Sequence, residues 1–293
     1  MRLTHGRAVL AMVGVTLLWS TAGVVTRHLE QAARFEVTFW RSFFTLVSLA
    51  VILPLLRGPG VFARLRHAPK ALWVSGLCWS VMFTAFMLAM TLTTVAHVLV
   101  TMSIGPLLTA LGARIFLRHR IALRTWVAIA VAGGAIAWIY GSQIGQVGPA
   151  GWLGIAVAFA VPVAGATNWT LNQRAQARGE QVDLVPAVAV GALVSCLAML
   201  PLALPFQATA HDLSLLAFLG LFQLAIPCVG AVLCARVLSA PELSLLALLE
   251  VVFGILLAWV GAGEVPEARV LVGGLLVLAA LLGNEILGWR QAR

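Results

Sequence analysis

Few residues of this 293-residue chain could do chemistry, and the sharpest of them is Glu250, eight residues into the apolar run 243–261. An acidic group at such depth in a lipid-embedded helix costs about 2.5–3.5 kcal/mol, so it must face a cavity or a partner. Such a carboxylate could bind a cationic group or shuttle a proton; equally, it could form a structural pair or a helix-to-helix hydrogen bond. Arg41 lies about one turn inside the start of the run 37–56. It could snorkel to the interface or present its fork to a carboxylate. Facing one cavity together, Arg41 and Glu250 would offer opposite charges suited to a zwitterion.

The neutral polar candidates are His97, Gln223 and Asn168. His97, near the start of the run 95–117, is either a group titrating near neutral pH or a satisfied interfacial histidine. Gln223 shares a face with Pro227 and Gly230, and its amide needs a cavity or another helix. Asn168 and Asn172 share a face with Gly165, which suits either a polar path or close helix packing. Trp79, Met82, Phe86 and Met90 form a helical stripe with Phe83 beside it, readable as core or as the soft wall of an apolar pocket. Of ten tryptophans only Trp19 and Trp79 sit deep. The others, Trp169 included, lie near run ends as an interfacial belt predicts. The candidate binding set is Trp19, Arg41, Trp79, Met82, Phe83, His97, Asn168, Trp169, Gln223 and Glu250, with Pro106, Pro162 and Pro227 as candidate hinges.

These residues need elements to hold them, and composition says which. The chain is 61% hydrophobic and 10% charged, with a mean hydropathy of +1.02; soluble domains carry about 25% charged residues. Lipid is therefore part of its solvent, and unbroken apolar runs of about twenty residues there must be helices. Ten runs follow: 8–26, 37–56, 71–90, 95–117, 123–140, 152–171, 184–204, 213–235, 243–261 and 270–288. The fold class is an all-α polytopic membrane protein. Asp183 and Asp212 stand where N-caps belong, and Ser239 with Glu242 reads as a capping box.

The net charge of +9 does not point to nucleic acid, because the basic residues sit at run ends rather than on a soluble face. With both termini inside, fifteen Lys and Arg fall at cytoplasmic ends, against Arg27, Arg34 and Arg269 outside. Met1–Arg7 and the run after it resemble a signal peptide, but the run is long for one, and a retained first span is expected. The four cysteines all lie inside apolar runs and read as small core residues, with no metal site. Zinc-protease, serine-hydrolase and nucleotide-loop motifs are missing, and Asp183 and Asp212 are the only aspartates. The expectation is no enzyme and no cofactor. A single asymmetric chain also builds a channel's polar ring poorly.

A long-period repeat completes the layout. An offset of 145 lays Trp73–Leu99 over Phe218–Ser244; near the start the offset is 142, where Ala22-Gly23 meets Ala164-Gly165. Two units, 1–145 and 146–293, would each hold five spans, and the odd number forces them to run inverted, a recurring arrangement in transporters.

Five-plus-five inverted spans in about 300 residues resemble the drug/metabolite transporter superfamily, specifically its EamA-type exporters. Trp19-Ser20 with Arg27, Arg41 in the second span, Pro106 in the fourth and Gly263-Glu264 at the end of the ninth match that pattern. Val251 stands where a second proline is expected, and Arg118-His119 replaces the first Gly-Glu. The resemblance implies a secondary exporter of small metabolites in the cell's inner membrane. Amino acids, aromatic ones among them, are the first expectation, other amphipathic compounds or drugs the second, and protons the possible coupling ion.

Overall fold

The computed structural model describes residues 3–93, 95–118, 120–141, 149–177, 182–262 and 268–291; Gly263-Glu264 and His119 of the expected motifs lie outside them. The described chain is helical, with no strand. Its first half holds α1 (His5–Trp19), α2 (Thr21–Thr26), α3 (Arg34–Arg57), α4 (Val61–Leu65), α5 (Lys70–Leu92), α6 (Val95–Met102), α7 (Gly105–Phe116) and α8 (Leu123–Tyr140). Its second half holds α9 (Pro149–Ala177), α10 (Ala187–Ala203), α11 (Ala210–Phe218), a π-helical segment Leu219–Ala225, α12 (Ile226–Cys234), α13 (Ala240–Ala247), α14 (Leu249–Ala262) and α15 (Ala268–Gln291). Eight stretches are long and apolar enough to cross a bilayer, and Leu123–Ile139 and Ala187–Ala203 are shorter apolar helices. Leu55, Ile115, Phe116, Leu123 and Val260 are each at least two-thirds exposed, as residues facing lipid rather than water should be.

The ten spans are α1–α2, α3, α5, α6–α7 and α8, then α9, α10, α11–π–α12, α13–α14 and α15. Their packing repeats when five is added to each span number. Span 3 packs on span 6 as span 8 packs on span 1, and span 3 on span 7 as span 8 on span 2. Spans 2 and 7, 4 and 9, and 5 and 10 meet across the implied two-fold axis. Five crossings per unit make the units antiparallel, so this is an inverted repeat.

Several spans are interrupted near their middles. Span 1 breaks at Ser20, where the hydroxyls of Thr16, Ser20 and Thr21 each donate to a carbonyl one turn back, a habit that bends helices. Span 4 breaks at Ser103–Ile104, and Pro106 opens α7, since proline has no N–H and crowds the preceding turn. Its symmetry mate, span 9, breaks at Leu248, 145 residues later. In span 8, Pro227 cannot donate back to Gln223, and Gly220 lies so close to α3 that a Cβ there would meet the Phe44 Cβ at 2.5 Å. The π segment occupies that stretch. Pro162, by contrast, sits inside α9 without interrupting it.

The two ends of the bundle are closed differently. On the side of the termini, α13 packs against α7, α9 and α1. The symmetry mates on the far side would be α6 against α14, α2 and α9. Among the described residues only α6 with α9 is comparably packed.

Two fully buried carboxylates brace the far side. Asp212 accepts from the backbone N–H of Glu30, Gln31, Ala32 and Thr209 at 2.7–3.2 Å. Glu36 accepts from Ala33, Gln207, Ala208 and the Trp40 indole at 2.9–3.2 Å. Each fixes the loop entering the other's helix, so the repeats clasp one another. The expected N-cap at Asp212 is corrected: Thr209 is the cap and Asp212 sits in the first turn. Asp183 is likewise no cap, since Pro186 precedes α10. It accepts from Val185 N–H at 3.2 Å and pairs with Arg57 and Arg236 on the side of the termini. Burial alone would raise its carboxyl, but these partners hold it below its ordinary value. Glu242 accepts from Ser239 N–H as the capping-box expectation requires.

Replacing Asp212 with Asn turns an acceptor-only group into one that presents an amide to the same donors. At least one buried N–H is left unpaired, a loss of about 1–3 kcal/mol. Asp212→Asn should lower the melting temperature in detergent by several degrees; an unchanged melting curve would contradict the clasp.

Candidate functional site

The interruptions converge on one cavity of about 160 Å³. Span 3 supplies Trp79, Met82, Phe83 and Phe86, and span 6 supplies Pro162, Gly165 and Trp169. Spans 1 and 2 add Trp19 and Arg41, the break of span 4 adds Gly105 and Pro106, span 8 adds Gln223, Leu224 and Cys228, and the break of span 9 adds Glu250. Glu250 therefore sits in the first turn of α14 rather than mid-helix, where the helix dipole favours a carboxylate.

The polar groups are few and underused. Arg41 is 1% exposed, so it does not snorkel. Its Nη2 donates to the Phe83 carbonyl at 3.0 Å, while its Nε has no partner. Glu250 is half-buried and feels the Arg41 charge, yet no direct ion pair joins the two among the described residues. Gln223 Nε2 reaches the Trp19 carbonyl at 3.4 Å, and its Oε1 has no partner. The Trp79 indole N–H is also unpartnered and buried. A half-open apolar pocket with a cation, an anion and unmatched amide and indole groups has the make-up of a small-molecule site.

The aromatic wall is stiff. Trp79 meets Trp169 edge-to-face at 5.6 Å between ring centroids and leans on Phe83 at the same distance. Behind it α5 and α10 touch backbone to backbone: a Cβ on Gly191 would lie 2.4 Å from the Trp79 Cβ and 2.9 Å from the Gly76 carbonyl oxygen.

Eight of the ten sequence candidates, Trp19, Arg41, Trp79, Met82, Phe83, Trp169, Gln223 and Glu250, line this cavity, as do Pro106 and Pro162. The others lie elsewhere. His97 is buried beside Thr93, its Nδ1 2.6 Å from the hydroxyl. Asn168 turns to α5, where Ser75 donates to its Oδ1 at 2.6 Å, and its carbonyl accepts from Asn172. Pro227 opens α12 outside the lining. Trp169 is corrected from belt residue to buried wall, since it is only 6% exposed; Trp73, Trp138, Trp152 and Trp259 remain exposed. Sequence reasoning did not single out Leu224, Cys228 or Ser244, although the 145-residue offset that pairs Trp79 with Leu224 and Phe83 with Cys228 carried the signal.

The EamA-like transporter family matches residues 6–141 and again residues 152–284, one match to each five-span unit. The chain belongs to the EamA-like transporter family. It is thus a multi-pass membrane transporter of small molecules, and the cavity where its repeats meet is the candidate binding site. A crystal structure of a protein is similar at 19% identity, covering 98% of this chain and 99% of the other with a TM-score of 0.78, which speaks for the shared fold alone. No curated protein matches the chain.

Because α10 seats Trp79 through Gly191, enlarging that glycine should disturb the site from behind. Gly191→Ala forces the two helices apart, an overpacking cost of about 1–3 kcal/mol. The variant should melt earlier and shift its tryptophan emission; wild-type values of both would argue against a rigid wall.

Proposed function

We propose that the chain is a secondary transporter that exports small amphipathic metabolites, in the first place amino acids with apolar or aromatic side chains, by alternating access across the cell's inner membrane. The carrying observation is that Arg41 and Glu250 share one aromatic-walled cavity without pairing with each other. A zwitterion supplies the missing partners: its carboxylate suits the guanidinium fork, its ammonium suits Glu250, and its apolar side chain suits Trp79, Phe83 and Trp169. Nothing in the sequence resembles a nucleotide-binding loop, so the substrate's own gradient or a proton gradient acting through Glu250 is the proposed driving force.

The lopsided distribution of basic residues supports termini in the cytoplasm. The packed side of the bundle is then cytoplasmic, and the conformation described is the outward-facing one. Three contacts hold it. Thr109 donates to Ser244 at 3.1 Å, Ala240 N–H donates to Gln173 at 3.1 Å, and Glu242 lies 2.6 Å from His5. All three tie α13 to its neighbours.

Glu250→Gln keeps the shape and removes the charge. In proteoliposomes loaded with labelled phenylalanine it should slow efflux at least about tenfold, equivalent to ~1.4 kcal/mol, or abolish any dependence on a pH gradient. Arg41→Met should weaken the apparent affinity by a similar factor. Retention of rate, affinity and pH response in both variants would sink this reading of the cavity.

The gate is tested separately. Thr109→Val combined with Gln173→Leu removes the two hydrogen bonds these residues make to α13, each worth about 1 kcal/mol, and shifts the population away from the described state. A reporter cysteine at Ala247 should then be labelled severalfold faster by an impermeant thiol reagent from the cytoplasmic face. Equal rates with and without the two substitutions would refute the latch.

A further inference from the structure

The two-fold axis predicts a symmetric cavity, and the structure departs from that prediction in one direction. Span 3 brings Trp79 and Phe83 to the lining; their counterparts in span 8, at the 145-residue offset, are Leu224 and Cys228. Both pairs face the same space. Trp79 cannot yield, since it is wedged between Trp169, Phe83 and the Gly191 backbone, and it backs Phe83 in turn. The room in front of this wall is therefore room that span 8 leaves by carrying Leu and Cys where span 3 carries Trp and Phe. Span 8 is itself anchored, by Gly220 against Phe44 and by Gly230, where a Cβ would lie 3.0 Å from Val15. It cannot retreat to admit a larger molecule.

We propose that Leu224 and Cys228 form the size filter of the transporter: they face the aromatic wall, and their combined bulk sets the largest side chain that the cavity accepts. This inference rests on the reading that the cavity binds amino acids. It adds which two residues select among them, and Cys228 acts here by its volume, not by its thiol. Filling the space from the span 8 side should exclude large side chains before small ones, because a fixed wall leaves them no alternative placement.

The test compares initial efflux rates of labelled phenylalanine and labelled alanine from proteoliposomes. Cys228→Phe and Leu224→Trp each copy the opposing residue, and either should lower the phenylalanine-to-alanine ratio at least about tenfold. A swap, Phe83→Cys with Cys228→Phe, moves the bulk across the cavity and should bring the ratio back to within about threefold of the unaltered protein. Single variants with an unchanged ratio, or a swap no better than Cys228→Phe alone, would overturn the filter while leaving the binding site intact. If the unaltered protein moves neither amino acid, the substrate reading falls, and the filter for amino-acid side chains falls with it.

Discussion

Hydrocarbon offers no hydrogen-bond partner, so every irregular stretch of backbone in this bundle must be shielded by protein or line a cavity. That constraint organises the structure. The breaks at Ser20, Ser103–Ile104 and Leu248 and the π segment Leu219–Ala225 are concentrated where the two repeats face each other, and residues at or beside each of them line the central space. A break on a lipid-facing helix would strand carbonyls in oil. A break beside the cavity exposes them to whatever the cavity holds, which is why interruption and binding site coincide in transporters of this build.

Inverted symmetry then supplies two ways to close the same bundle. The half-span α13 meets α7, α9 and α1, whereas α6, its mate, meets α9 but is not comparably packed on α14 or α2 among the described residues. A sequence that builds both half-spans from similar pieces can exchange these roles, provided the contacts on each side are of similar strength. Here the bonds that tie α13 to its neighbours on the closed side are neutral or exposed, such as Thr109 with Ser244. Bonds of that kind contribute about 1 kcal/mol each and can be exchanged for water. The Glu36 and Asp212 clasps are different, with four donors per buried carboxylate. They tie α3 and α11 together, and in the proposed transport cycle this part would stay fixed while the half-spans move.

Much of this was legible in the sequence, and the failures have physical reasons. Hydropathy found ten spans because lipid imposes a length, and the odd repeat forced the inversion. Trp169 was misplaced because the apolar run seemed to end at residue 171, while α9 continues through polar Asn172 and Gln173 to Ala177, leaving the indole well inside the bundle. Asp212 and Glu36 look like ordinary helix-start acids, and their service to loops across the repeat boundary is tertiary. Pro106 announced the break in span 4. Leu248 announced nothing, because no proline or glycine marks it; only the symmetry with Ser103 does. The family pattern fared in the same way: it located the two units, and Val251, in place of the second proline, stands just past that unannounced break.

The separation of Arg41 from Glu250 is the feature on which the functional reading turns. Two opposite charges in a low-dielectric space attract strongly, and a bundle selected for stability alone would let them meet. Here the guanidinium is held by the Phe83 carbonyl, and the carboxylate stands on the first turn of α14, a different element. Holding them apart leaves that attraction unspent. A molecule carrying both charges recovers that attraction on entering, while one carrying a single charge leaves the other protein group unmatched. In the proposed reading, discrimination by charge comes from this separation, and discrimination by size from the wall facing Leu224 and Cys228. On that reading the cavity needs no movement of its own to be selective, and the work of opening and closing it falls to the half-spans.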